Sequence, residues 1–144
     1  MKATIVKTID FKGVKLTAPA LYIPPEDDNF HCCGPGYGIK ELIIPETILG
    51  VRITIACHIH DYSWEISPAD RRFYRMYNKI FYHNMKSIIA KKSNNCIMRK
   101  IRTFLARKYY RLVSSRIGEY EFWEIKKRQG LIDENPLAIQ EDIL

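Results

Sequence analysis

The sequence predicts a mostly α-helical domain, with two long antiparallel helices, a shorter helix ahead of them and a small N-terminal β element. Three observations carry that expectation. Apolar residues recur at three- and four-residue intervals from Phe73 to Ile89, and again from Ile97 to Val113. Ser67-Pro68 followed by Asp70 marks a helix start, since Ser caps, Pro suits the first turn and Asp satisfies free amides. Thr4-Ile5-Val6 and Val14 to Thr17 are β-branched runs separated by the turn-like Asp10-Phe11-Lys12-Gly13.

Taken in order, residues 2–23 read as a hairpin or extended chain. Pro19, Pro24 and Pro25 then stop regular structure, and Glu26 to Asn29 form a solvated acidic turn. Cys32-Cys33-Gly34-Pro35-Gly36-Tyr37-Gly38 forms neither helix nor strand, because its glycines tolerate positive φ and Pro35 fixes its own. Ile39 to Ile44 is a short apolar segment stopped by Pro45, which begins a helical turn through Leu49 that Gly50 ends. The first helix spans Thr54 to Glu65, with Thr54 as its N-cap. A helix of about 22 residues follows Ser67 and breaks at Lys91 to Asn95. The next runs from Asn95 to Ser114, and Ile97, Ile101, Phe104, Leu105, Tyr109, Leu112 and Val113 form its buried stripe. Gly118 interrupts, Tyr120 to Ile125 is a shorter segment, and the tail holding Pro136 is a short helix or a frayed end.

A chain of 144 residues buries a core without metals or staples, and it reads as one domain over 1–144. Its core is 30–125, its β or extended segment covers 2–23 and its acidic tail covers 133–144. The net charge of +7 favours an anionic partner, either a phospholipid surface or a nucleic acid, and also serves solubility. Met1 to Lys7 leads into no apolar stretch, so the expectation is no signal peptide, no transmembrane segment and a cytoplasmic protein as synthesised. Four cysteines form an even set, yet a reducing compartment disfavours disulfides.

The chemistry concentrates between Cys32 and Asp70. A glycine-rich loop turns several carbonyls toward one point, and a carboxylate beside it suits a hard cation such as calcium. His60 and Asp61 lie about 100° apart on a helix, so both border one cleft, and a histidine there suits a general base. The tight connection after Ile66 brings Asp70 within reach of His60, to fix its tautomer and offset the imidazolium charge. In this arrangement Asp61 and the Gly34–Gly36 loop hold calcium, which polarises an ester carbonyl, and His60 takes a proton from water. Cys32, Cys33 and Cys57 with His60 or His31 form an alternative zinc set, which adjacent cysteines close awkwardly. His58 faces away from His60 and binds nothing, His83 is a core or boundary residue, and Cys96 has no evident partner except Cys32.

Cys33-Gly34-Pro35-Gly36 and Cys57-His58-Ile59-His60-Asp61 resemble the C-G-x-G loop and C-x-x-H-D helix of the secreted phospholipase A2 superfamily. Asp70-Arg71-Arg72-Phe73 matches the D-x-x-F of its bacterial members. The chain looks closer still to small bacterial and prophage-encoded proteins that share further motifs, here Ile44 to Gly50, Ala56 to Trp64, Ala106 to Val113 and Glu121 to Trp123. The overlap covers most of residues 30–125. The resemblance implies calcium ligation by the carbonyls of Cys32, Gly34 and Gly36 with the Asp61 carboxylate, an oxyanion held by the Gly34 amide, and a Cys33–Cys57 disulfide. Trp64 stands where the family has tyrosine, Pro35 replaces a flexible residue, and the Ile39–Gly50 insert lengthens the spacing. The implied activity is calcium-dependent hydrolysis of a phospholipid acyl ester, with His60 as base and Asp70 as its partner. The competing expectation is a catalytically silent phage or prophage protein, virion-associated or released, that binds a protein or a nucleic acid on the same scaffold. Arg99, Lys100, Arg102, Arg107, Lys108 and Arg111, interleaved with Tyr109 and Tyr110, suit an anionic membrane interface or a phosphate backbone.

Overall fold

The structure of the chain, a computed structural model, describes residues 6–26 and 44–141. Strands β1 (Val6–Phe11) and β2 (Val14–Pro19) pair antiparallel, with Phe11 opposite Val14. Lys12 and Gly13 both turn at positive φ, 51° and 82°, which the right-handed twist of a two-residue hairpin demands. Asp10 Oδ1 accepts the Gly13 amide at 3.0 Å and secures the turn. A second, shorter hairpin joins β3 (Thr47–Ile48) to β4 (Val51–Arg52). Its turn also uses positive φ, at Leu49 and Gly50. This hairpin corrects the helical turn expected after Pro45, because Ile48 and Val51 are both buried and a strand pair buries both.

Helix α1 (Thr54–Ile66) starts at Thr54 as expected, but its N-cap is Ile53 rather than Thr54. Helix α2 (Arg71–Lys92) is capped by Asp70, whose carboxylate accepts the Arg72 amide at 2.8 Å. Ser67 is therefore the C-cap of α1, not the N-cap of α2. Helix α3 (Cys96–Val113) is capped by Asn95, and helix α4 (Arg116–Arg128) by Ser115. Helix α5 (Pro136–Glu141) turns the tail into a short helix.

Three contacts fix α2 and α3 as antiparallel. The Tyr74 hydroxyl donates to the Val113 carbonyl at 2.6 Å, Tyr82 stacks on Tyr110, and Arg102 Nη1 donates to Ser93 Oγ at 3.1 Å. Trp64 meets Tyr74 and His60 meets Asn78, so α1 is antiparallel to α2 as well. Phe122 on α4 is fully buried against Trp64 and Tyr74, with ring centroids at 5.8 and 5.2 Å. Burying a phenyl ring of that size contributes about 2–3 kcal/mol. Gly118 does not interrupt this helix. A Cβ there would lie 2.0 Å from the Val113 carbonyl oxygen, so only glycine lets α4 pass the end of α3.

Asn84, fully buried on α2, accepts the Thr17 amide and donates to the Thr17 carbonyl, both at 2.8 Å. One side-chain amide thus supplies β2 with the partner its outer edge lacks and docks the hairpin onto the helices. No helix among the described residues is long and apolar enough to cross a membrane.

Candidate functional site

Helical geometry places Cys57 on α1 between the sectors of His60 and Asp61. Cys57 is disulfide-bonded, and its partner lies outside the described residues. Cys96 is a free, exposed thiol. Cys32, Cys33, Gly34 and Gly36, the expected sources of calcium carbonyls, an oxyanion amide and a disulfide, also lie outside the described residues, as does His31. Of the implied calcium ligands, the described residues contain Asp61 alone, half-buried and already engaged. Among the described residues no group of three His, Cys, Asp or Glu side chains is placed to hold a metal. A disulfide sulfur is no thiolate, which removes Cys57 from the zinc set.

The His60 ring is 5% exposed, stacked on Phe81 at 4.6 Å and tilted against Trp64 at 4.5 Å. Its Nε2 lies 2.7 Å from Asn78 Oδ1, and the Trp64 indole donates to the same oxygen at 3.1 Å. An indole N–H only donates, so that atom is the amide oxygen. His60 Nε2 therefore carries the proton, and Nδ1 keeps the lone pair. The Asn78 amide nitrogen donates to the Val113 carbonyl at 3.3 Å and to Ser114 Oγ at 3.4 Å. Asn78 thereby joins α1, α2 and the end of α3.

This overturns the pairing expected between Asp70 and His60. The register that sets His60 against Asn78, and Trp64 against Tyr74, places Asp70 beyond the end of α1. There Asp70 caps α2 and pairs with the Arg72 guanidinium at 2.8 Å. The Arg72 hydrogen bond holds its carboxyl below the usual range. Asn78 fixes the tautomer that Asp70 was expected to fix, but a neutral amide offers no charge to an imidazolium.

Burial pushes the His60 pKa down to about 4, with the Asn78 hydrogen bond pulling the other way. The ring is thus neutral at pH 7. An unfolded chain binds this proton near pH 6.5, so between there and pH 4 it holds more protons than the folded one. The stability His60 supports is complete above pH 6.5 and is lost as pH falls toward 4, by about 3 kcal/mol. Urea unfolding across that window checks it, and a His60→Gln variant should flatten the slope.

His58 has a partner after all, since the buried Tyr22 hydroxyl hydrogen-bonds its Nδ1. His83 is exposed rather than a core or boundary residue. Lys126 on α4 escapes sequence reasoning, because Lys126-Lys127-Arg128 looks like an ordinary solvated charge run. It is fully buried, and its Nζ donates to the carbonyls of Trp64 and Ser67 at the C-terminal end of α1.

The surface of α3 also departs from expectation. Ile97, Ile101 and Phe104 are exposed, at 67%, 42% and 58%, and only Ala106 and Val113 on this helix are buried. Every charged residue of α3 is Lys or Arg. Lys108 lies over the Phe104 ring, its Nζ 5.0 Å from the centroid. Comparison with family models, curated proteins and solved structures finds no match to this chain.

Proposed function

We propose that this chain uses a phospholipase A2-like helical scaffold to bind an anionic partner through α3, without hydrolysing an ester. The observation that carries the reading is α3 itself, which bears Arg99, Lys100, Arg102, Arg107, Lys108 and Arg111 with no carboxylate among them. A solvated helix ordinarily mixes signs along its length, because opposite charges one turn apart stabilise it. Six like charges repel one another in the absence of a counter-surface. The state of His60 supports the non-hydrolytic half of the reading. A base that takes a proton from water becomes an imidazolium, and here that cation would sit between Phe81 and Trp64 beside a neutral amide.

Two observations favour the hydrolytic alternative, calcium-dependent cleavage of a phospholipid acyl ester. Asn78 sets the tautomer that leaves Nδ1 basic, and Cys57 anchors a disulfide between His60 and Asp61. A single comparison separates the two readings. Wild type should be retained on immobilised heparin, a Lys100→Glu/Lys108→Glu variant should elute at several-fold lower salt, and Asp61→Asn should behave as wild type. Weak retention of wild type, together with calcium-dependent ester release that Asp61→Asn abolishes, would replace the binding reading by hydrolysis.

A further inference from the structure

The direction of the α3 side chains narrows the partner. At 100° per residue, Ala106 and Val113 point into the core, while Ile97, Phe104, Lys108 and Arg111 fall within about 40° of the opposite direction. Ile101 lies at the edge of the same sector, and Lys100 and Arg107 flank it. The outermost line of the helix therefore begins apolar and ends basic. Cations surround the apolar residues and no carboxylate interrupts them.

Each kind of anionic surface rewards a different portion of this face. A nucleic-acid backbone rewards the cations and gains little from isoleucine and phenylalanine at the point of closest approach. A second copy of the chain would cover the apolar residues but bring two sets of cations together. A bilayer with anionic headgroups rewards both: the apolar side chains enter the headgroup–acyl boundary while Lys and Arg meet the phosphates. Exposed apolar side chains on a monomer's surface are ordinary when scattered and informative when contiguous. Here they follow one another at helical spacing.

We propose that α3 lies along an anionic phospholipid surface, with Ile97, Ile101 and Phe104 inserted and Lys100, Arg107, Lys108 and Arg111 at the phosphates. This rests on the reading of α3 as a polyanion-binding helix and names the surface it binds. The test is co-sedimentation of the full chain with phosphatidylcholine vesicles, with and without about 30% phosphatidylglycerol. Wild type should pellet with the anionic vesicles and stay in solution with the neutral ones. An Ile97→Ser/Phe104→Ser variant, altered only at exposed positions, should bind anionic vesicles about tenfold more weakly and keep its retention on heparin. Heparin retention without vesicle binding would overturn the lipid assignment and leave the polyanion reading standing. Loss of both would sink both. Vesicle binding that the double serine variant leaves unchanged, tighter binding to duplex DNA than to vesicles, or a wild-type dimer that Phe104→Ser dissociates would each overturn the proposal.

Discussion

Asn78→Leu is expected to destabilise the fold by about 4 kcal/mol, although leucine matches asparagine closely in shape. The loss falls on two donors. His60 Nε2–H and Trp64 Nε1–H both depend on the single Asn78 oxygen, and both rings are buried. A buried donor left without an acceptor costs about 1–3 kcal/mol, and leucine provides no acceptor. The Val113 carbonyl suffers less, because the Tyr74 hydroxyl still donates to it. Urea unfolding at pH 7 measures the loss, and a change below about 1 kcal/mol would mean that Asn78 is not the joint described here. Asn78→Asp provides the complementary measurement. A carboxylate accepts both N–H groups and favours the imidazolium, so the His60 pKa should rise from about 4 and the acid loss of stability should shrink. The same substitution supplies the charge that water activation by His60 lacks. Ester hydrolysis appearing only in Asn78→Asp would show a hydrolase scaffold held silent at one position.

Why the role of Asn78 is illegible in the sequence, while α2 itself is legible, is a matter of scale. The existence of α2 follows from repeated apolar spacing, and many residues vote for it. Asn78 and Asn84 are polar exceptions on that apolar face, and both are joints, one to His60 and one to β2. Such exceptions are the available signal, but their partners depend on interhelical register, which periodicity does not encode. Asp70 shows the same limit. A short connection suggests nearness to His60, yet a link of three or four residues leaves the register of two helices free by a full turn. The stripe expected on α3 holds only in part: Val113 is buried and Leu105, Tyr109 and Leu112 pack against the core, while the N-terminal portion fails for another reason. Ile97, Ile101 and Phe104 do lie on one face, but periodicity shows only that apolar residues share a face, not that the face is covered. Propensity makes Gly118 a helix breaker, whereas the close approach of the Val113 carbonyl, a tertiary contact, is what requires it.

Lys126→Met is the second substitution expected to cost several kcal/mol. Methionine keeps the apolar stem over Phe122 and removes the ammonium, which sits 5.3 Å from that ring centroid. The ammonium donates to the carbonyls of Trp64 and Ser67, reaches that of Glu65 at 3.4 Å and meets Gln129 Oε1 at 3.2 Å. These are terminal carbonyls of α1 and its cap, which have no partner within the helix. Burial pushes the lysine pKa down to about 8, with Glu65 opposing, so the group is still mostly charged at pH 7. The cost of desolvating that charge offsets some of what its hydrogen bonds contribute, and the net loss on removal comes to about 3 kcal/mol. Hydrogen exchange should locate the damage, because the Ser67 amide, bonded to the Ser63 carbonyl at 3.1 Å, belongs to the turn that Lys126 holds. Trp64 then links this site to the first. Its carbonyl binds Lys126 and its indole binds Asn78, so both substitutions loosen the same residue. The double variant should therefore lose less than the two single losses combined, by at least about 0.5 kcal/mol. Strict additivity would mean that α1 transmits nothing between its capped end and the histidine about two turns earlier, and His60 would then owe its position to Asn78 alone.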